Sequence, residues 1–254
     1  SMHLDAAKLD NGTTLETGIC IVGSGPAGLT LARELAGSGL DLLILESGSR
    51  RPDPGVQELN AGEVVGDPYR GLRDTRHRQV GGAPNIWNTP VARGSGAKYV
   101  PLDPWDFLER PGIPLSGWPF GFDELEPFYR RAQAVCGLGP FRYGGRAWRP
   151  EAESAVGSRA PGAGGSGASG GHLDLVPELA ERVYQFGPQS PFTRSYVEEL
   201  DQHPDVRLLH GATLRRLRLE GGGRRAVEGD VAVLGSGSLR VRARAFVLAA
   251  GAVE

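Results

Sequence analysis

The chain has 254 residues, including 39 glycines and 19 prolines, with 39 % hydrophobic side chains and a formal net charge of −2. Gly and Pro together stay just under the roughly 25–30 % that marks low-complexity disorder, and the apolar share suffices for a buried core. The near-neutral charge excludes a globally basic nucleic-acid binder. No apolar run, including the one over 246–250, approaches the roughly 18–20 residues needed to span a bilayer.

Residues 1–17 are polar and unpatterned and are expected to form an N-terminal arm. Ile19-Cys20-Ile21-Val22 then reads as a strand buried on both faces, ending in glycines. Ala27, Leu31, Ala32 and Leu35 recur at helical spacing over 26–36, and Gly37 and Gly39 stop that helix. Leu42-Leu43-Ile44-Leu45 is a second buried strand, closed by Glu46-Ser47-Gly48. Strand, glycine turn, helix and strand within about 30 residues make a βαβ unit with parallel strands.

Residues 50–120 are rich in Pro, Gly and Arg and read as a functional loop system. Arg73, Arg76, His77 and Arg78 form a basic cluster there, read as a surface cluster in preference to an anion site. Asp123 is expected to open a helix, with Glu126 completing a capping box. Leu125, Phe128, Tyr129, Ala132 and Cys136 would share its buried face, and Gly137 and Gly139 would end it. The stretch 155–171 is a linker by composition. Its GxSxG match at 167–171 lacks the strand and helix that a nucleophile elbow needs.

A further helix is expected over 192–200. Strands are expected over 206–210, 214–219, 227–234, 239–243 and 246–250, the middle three joined by glycine turns as an antiparallel meander. Arg215, Arg216, Arg218, Arg240, Arg242 and Arg244 lie along this meander. Without interleaved aromatics to stack bases, they read as a solvated sheet face and no nucleic-acid partner is expected. Cys20 and Cys136 are too far apart for zinc spacing and no HxxxH pair occurs among five histidines, so no metal is expected. Sparse cysteine and no charged-then-apolar leader give a cytoplasmic expectation.

The strongest chemical signal is Gly23-Ser24-Gly25-Pro26-Ala27-Gly28, a GxGxxG that follows a buried strand and opens a helix. Gly23 makes the turn, Gly25 admits a pyrophosphate to the backbone, and Gly28 lets helix and strand close up. The helix N-terminus offers unpaired N–H groups and partial positive charge to phosphate. Glu46, 18 residues after Gly28, stands where a carboxylate accepts from ribose hydroxyls and disfavours a 2′-phosphate.

Four segments go further: 21–48, 78–87 (RQVGGAPNIW), 117–131 (GWPFGFDELEPFYRR) and 206–251. Together they resemble the N-terminal half of a glucose–methanol–choline (GMC) oxidoreductase, in the pyranose-oxidase-like branch, and 186–200 fits more loosely. The resemblance implies an α/β fold: a Rossmann-like FAD-binding domain of parallel sheet plus three-stranded antiparallel meander, with part of a substrate-binding domain. The FAD-binding segments would be 18–83 and 191–254. The partial substrate domain and lid would be 84–190, and a C-terminal catalytic half would be absent.

The resemblance also implies extended FAD, with its pyrophosphate at Gly25 to Gly28 and its adenosine at Glu46 and Ser47. The backbone near Leu214 would meet the adenine, and Gly251 would support the same end. Gly81 and Gly82 would run against the flavin, lined by Asn85, Trp87 and Asn88. Some relatives carry a flavin-bonding histidine where this chain has Ile86, so the FAD is expected to be non-covalent. The implied reaction is oxidation of an alcohol or carbohydrate hydroxyl by hydride transfer to flavin N5. Its catalytic base would lie in the C-terminal half, carried by the same polypeptide or by a second chain, so no catalytic residue is assigned here. The alternative is a non-catalytic nucleotide-binding module.

Overall fold

The computed structural model describes residues 3–91, 94–144, 182–189 and 191–251. The chain forms two units, Ser1–Gly96 with Gln189–Glu254, and Ala97–Pro188. The linker stretch 155–171 and its GxSxG lie outside the described residues.

The first unit is built on a seven-stranded sheet. Its strands are β1 (His3–Asp5), β2 (Thr14–Val22), β3 (Leu42–Glu46), β7 (Val206–His210), β8 (Thr213–Glu220), β9 (Arg225–Val233) and β10 (Gly237–Leu248), in the order β1-β7-β3-β2-β10-β9-β8. β1, β7, β3, β2 and the end of β10 run parallel, and β10, β9 and β8 pair antiparallel. The expected N-terminal arm is corrected at this point. His3–Asp5 pairs with Leu208 to His210, and β2 begins at Thr14.

The expected strands 239–243 and 246–250 are one strand, β10. Arg240 to Arg242 pair with β9 on one edge and with β2 on the other, and pairing with β2 continues to Leu248. A single long strand thereby joins meander to parallel sheet. β8 starts three residues after β7 ends, yet four strands (β3, β2, β10 and β9) separate the two in that order. The sheet must therefore curl so that the meander returns over the parallel strands. Gly211 N–H to Gly48 O (3.0 Å) and Ala212 N–H to Glu46 O (2.9 Å) fasten that return.

Strand periodicity separates two buried faces. Cys20, Val22, Leu43, Leu45 and Leu209 form one core with Val231, Val233, Leu239 and Val241 of the meander. Cys20 is fully buried there, and burial pushes its thiol up to about 12. Ile21, Ile44 and Leu208, also fully buried, alternate onto the other face. α1 (Pro26–Leu35) packs on that face, since a Cβ at Gly28 would lie 3.3 Å from Ile21. Burying a side chain of this size contributes about 1.5–3 kcal/mol, so both faces hold the unit together.

Short segments complete this unit. α2 (Pro54–Gln57) and α3 (Leu72–Thr75) are single turns, and β4 (Thr89–Val91) pairs with the start of β5 (Gly94–Tyr99). The expected 192–200 helix is a π-helical turn, Pro191–Ser195, followed by α5 (Tyr196–Leu200). The guanidinium of Arg33 on α1 stacks 3.6 Å over Tyr196 and bonds Glu199, tying α1 to α5.

The second unit contains α4 (Phe122–Val135) and β6 (Gln185–Gly187), the latter paired with Ala97 to Tyr99. α4 starts one residue earlier than the sequence suggests, with Gly121 at its N-cap, so Asp123 makes no capping box. The carboxylates of Asp123 and Glu124 fall instead in the first turn, where the helix dipole favours them. The reciprocal capping box forms at Asp103 and Asp106, around the single turn Pro104–Phe107. Of the expected buried face, Phe128 is exposed and Gln133 is buried in its stead, bonded to the Tyr143 hydroxyl at 2.8 Å.

Candidate cofactor site

The site forms where β2 gives way to α1. Gly23 has φ +105°, and a Cβ there would stand 2.6 Å from the carbonyl of Ala249 at the end of β10. At Gly28 a Cβ would meet the Gly23 carbonyl at 1.9 Å. Both positions therefore require glycine for packing alone. Gly25 differs: its φ is −72°, and a Cβ there would meet nothing within 4 Å. It caps α1 without a side-chain bond, so the N–H groups of Ala27 and Gly28 point past it with no intrahelical acceptor, while Pro26 has none to offer. This uncapped helix start beside open space is the cradle an anion needs.

Behind the loop, Ser24 and Glu46 form a buried latch. Glu46 Oε2 accepts from the Ser24 amide (3.0 Å) and hydroxyl (2.6 Å), and Oε1 accepts from Gly48 N–H (2.8 Å). Burial pushes the Glu46 carboxyl up, while these bonds from Ser24 and Gly48 and the charge of Arg78 oppose that rise. A carboxylate has about four acceptor positions, so the latch leaves about one for an outside donor.

The double glycine meets this loop through backbone. Gly81 N–H donates to Ser24 Oγ (3.2 Å). A Cβ at Gly82 would lie 2.9 Å from Gly25 Cα, and one at Gly81 2.7 Å from the Phe192 carbonyl in the π-helical turn. Their close approach is thus to protein backbone. The side-chain amide of Asn85 donates to the carbonyls of Val80 (3.1 Å) and Gly82 (2.8 Å), so it shapes the same turn.

The segment leading into the double glycine holds residues that the sequence pattern did not single out. Val80 N–H reaches Ser49 O, and Ser49 bridges Gln79 in parallel, extending β3 by a short step. A Cβ at Gly48 would stand 2.2 Å from Arg78 backbone. Arg78, read from sequence as part of a surface cluster, is half-buried and specifically held. Its Nε donates to Asn60 Oδ1 (2.6 Å) and a terminal nitrogen donates to Ser47 Oγ (3.0 Å). Gln57 donates to the carbonyls of Arg73 and Arg76 and accepts from Arg78 N–H. Arg73 is the surface member, paired with Glu58 at 2.7 Å. The partners lie 16 to 31 residues apart, so only the Glu-Ser-Gly ending and the basic cluster hinted at them.

Ser24, Gly25, Pro26, Ala27, Gly28, Glu46, Ser47, Gly81 and Gly82 thus gather at one edge of the sheet, braced by Asn85. Half-buried Trp87 and exposed Asn88 follow the turn at Ala83–Ile86. Leu214 pairs with Val231 in β8, just beyond the bonds that tie Ala212 to Glu46. Gly251, φ +101°, is exposed two residues past Ala249. Of the meander arginines, Arg218 pairs with Asp230 and Glu228, and Arg242 with Glu228. Among the described residues no group of three His, Cys, Asp or Glu is placed to hold a metal, and no helix is long and apolar enough to cross a membrane.

Residues 16–54 match the family described as FAD binding domain, the interval that contains the glycine loop and the latch. Over 273 aligned residues the chain is 29 % identical to paromamine 6'-oxidase of Streptomyces fradiae, covering 93 % of this chain and 48 % of that protein. By these likenesses the chain resembles a GMC-type FAD oxidoreductase. A second relative is 6'''-hydroxyparomomycin C oxidase of Streptomyces lividus, 29 % identical over 132 residues, covering 47 % of this chain and 23 % of that one. The fold is shared with the crystal structure of pyridoxine 4-oxidase from Mesorbium loti: TM-score 0.53, 19 % identity, 93 % of this chain and 50 % of that chain. The chain thus spans about half the length of the Streptomyces fradiae relative it matches.

Proposed function

We propose that the chain supplies the FAD-holding part of an enzyme that oxidises a hydroxyl of a sugar or sugar-like molecule to an aldehyde or ketone. The observation that carries this reading is the open, uncapped start of α1 at Gly25, framed by the Ser24–Glu46 latch. The relatives named as oxidases of paromamine and of 6'''-hydroxyparomomycin C support the reaction class and a small-molecule substrate.

Each residue then has a task. The N–H groups of Gly25, Ala27 and Gly28 hold the pyrophosphate, while Gly23, Ser24 and Pro26 shape the turn beside it. Glu46 offers its remaining acceptor position to a ribose hydroxyl, and Ser47 stands beside it. Backbone around Leu214 and Gly251 borders the adenosine end. Gly81 and Gly82 carry the flavin-side backbone, Asn85 fixes their shape, and Trp87 and Asn88 line the flavin. Bound FAD supplies the hydride acceptor. The carbinol carbon loses a hydride and its hydroxyl loses a proton. We place the base that takes the proton in the portion of the relatives' length that this chain does not span, on the same polypeptide or a second chain. Ile86 has no nucleophile, so attachment of the flavin there is excluded and binding is non-covalent.

The test is natively purified protein carrying this chain. Expected are flavin absorption, yellow colour that stays in the supernatant after acid precipitation, and anaerobic bleaching by a hydroxylated sugar when the full-length partner portion is present. Flavin retained without bleaching by any sugar alcohol would favour the nucleotide-binding module. A yellow pellet would overturn non-covalent binding.

A further inference from the structure

Residues 78–80 run beside the end of β3. Val80 N–H donates to Ser49 O (3.0 Å), and Arg78 N–H donates to Gln57 Oε1 (3.1 Å). The Arg78 backbone lies so close to Gly48 that a Cβ there would stand 2.2 Å away. Backbone contacts therefore fix the root of the Arg78 side chain against Glu46-Ser47-Gly48. Its tip is fixed as well. Nε donates to Asn60 Oδ1 (2.6 Å), and a terminal nitrogen donates to Ser47 Oγ (3.0 Å). Asn60 is 3 % exposed, so that anchor is an interior one.

Two consequences reach the site. Asn60 and Ser47 are neutral acceptors, so these two bonds orient the guanidinium without cancelling its charge. That charge favours the ionised form of the buried Glu46 carboxyl, against the burial that opposes it. Accepting from Arg78 also leaves the Ser47 hydroxyl its own hydrogen as a donor. Glu46 and Ser47 are consecutive, one with an acceptor position and one with a donor. Such a pair complements a vicinal diol, whose hydroxyls each give and take hydrogen bonds.

We propose that Arg78 is a positioning residue of the cofactor site, which acts through Ser47 and Glu46 to present this donor and acceptor to the vicinal hydroxyls of the nucleotide ribose. The inference rests on the FAD-holding reading above.

Other charged groups face this end of the sheet from β7 and β1. His210 pairs in register with Glu46, Asp5 pairs with His210, and Arg50 and Lys8 act on His210. From the glycine loop, Ser24 bonds the Glu46 carboxylate through its amide and hydroxyl. A His210→Gln background removes the histidine's own titration.

Titration of FAD into the full chain in that background, followed by flavin fluorescence from about pH 5.5 to about pH 8.5, tests the proposal. Arg78→Met is expected to weaken binding at least ten-fold at the acid end, with partial recovery as pH rises. The midpoint of its pH–affinity curve moves up by about one unit or more. Arg78→Lys keeps the charge and loses the two-partner fork, so its midpoint stays in place while affinity falls a few-fold at every pH. Asn60→Asp keeps shape and sets a carboxylate on Arg78 Nε, so it reproduces the upward shift and stands in where Arg78→Met does not fold. Equal loss at every pH in Arg78→Met, the same midpoint in Arg78→Met and Arg78→Lys, or an unshifted Asn60→Asp overturns the proposal. Saturable binding in the parent with unaffected variants sinks this inference alone. No saturable binding in the parent or the wild type sinks the FAD-holding reading with it.

Discussion

Two glycines of one hexapeptide perform different work, and substitution separates them. At Gly28 an alanine methyl would press on the Gly23 carbonyl at 1.9 Å, backbone against backbone, with no flexible side chain to yield. Gly28→Ala is expected to lower unfolding free energy by at least ~2 kcal/mol, read by chemical denaturation. Gly25→Ala adds its methyl to open space at an ordinary φ, so stability should change by less than ~1 kcal/mol. Equal losses would contradict the division between a packing glycine and a ligand-facing one. Glu46 makes a pH prediction. Burial holds its carboxyl above the ordinary value, so the folded chain binds that proton more tightly than the unfolded chain. Stability contributed by this group is highest at low pH and falls as pH rises from the ordinary carboxyl value through the raised one. Melting temperature of the flavin-free chain should therefore fall less between pH 4.5 and 7.5 in Glu46→Gln than in the wild type, and parallel slopes would contradict the assignment.

At the scale of elements, β10 decides the architecture by pairing on both edges. Leu239 is 2 % exposed in the core shared by meander and parallel strands. Leu239→Ala should cost about 3 kcal/mol of stability, within the range of buried leucine truncations, and a loss below ~1 kcal/mol would show that the two parts are not one core. Local pattern made much of this legible. The βαβ unit was readable because apolar runs and glycine punctuation act within a few residues. β1, the fusion of two expected strands, and the failed Asp123 capping box were not. An edge strand of three residues has no period to detect, and Arg244 between two apolar runs looks like a break until β2 is seen pairing alongside. At the site the glycine loop and Glu46 were legible for the same local reason. Gln57, Asn60 and the role of Arg78 were not, because their bonds join residues far apart in sequence.

On the scale of the molecule, the first unit holds the glycine loop, the latch and the double glycine on one sheet edge. The chain spans about half the length of its Streptomyces fradiae relative, so binding and turnover are separable questions. Binding is the nearer one. Titration of FAD into the full chain, followed by flavin fluorescence with Gly25→Ala beside the wild type, addresses it directly. One FAD per chain should bind saturably to the wild type, at least ten-fold more tightly than to a Gly25→Ala chain of unchanged melting temperature. Absence of saturable binding, or equal affinity in the two chains, would contradict the placement of the pyrophosphate at the start of α1.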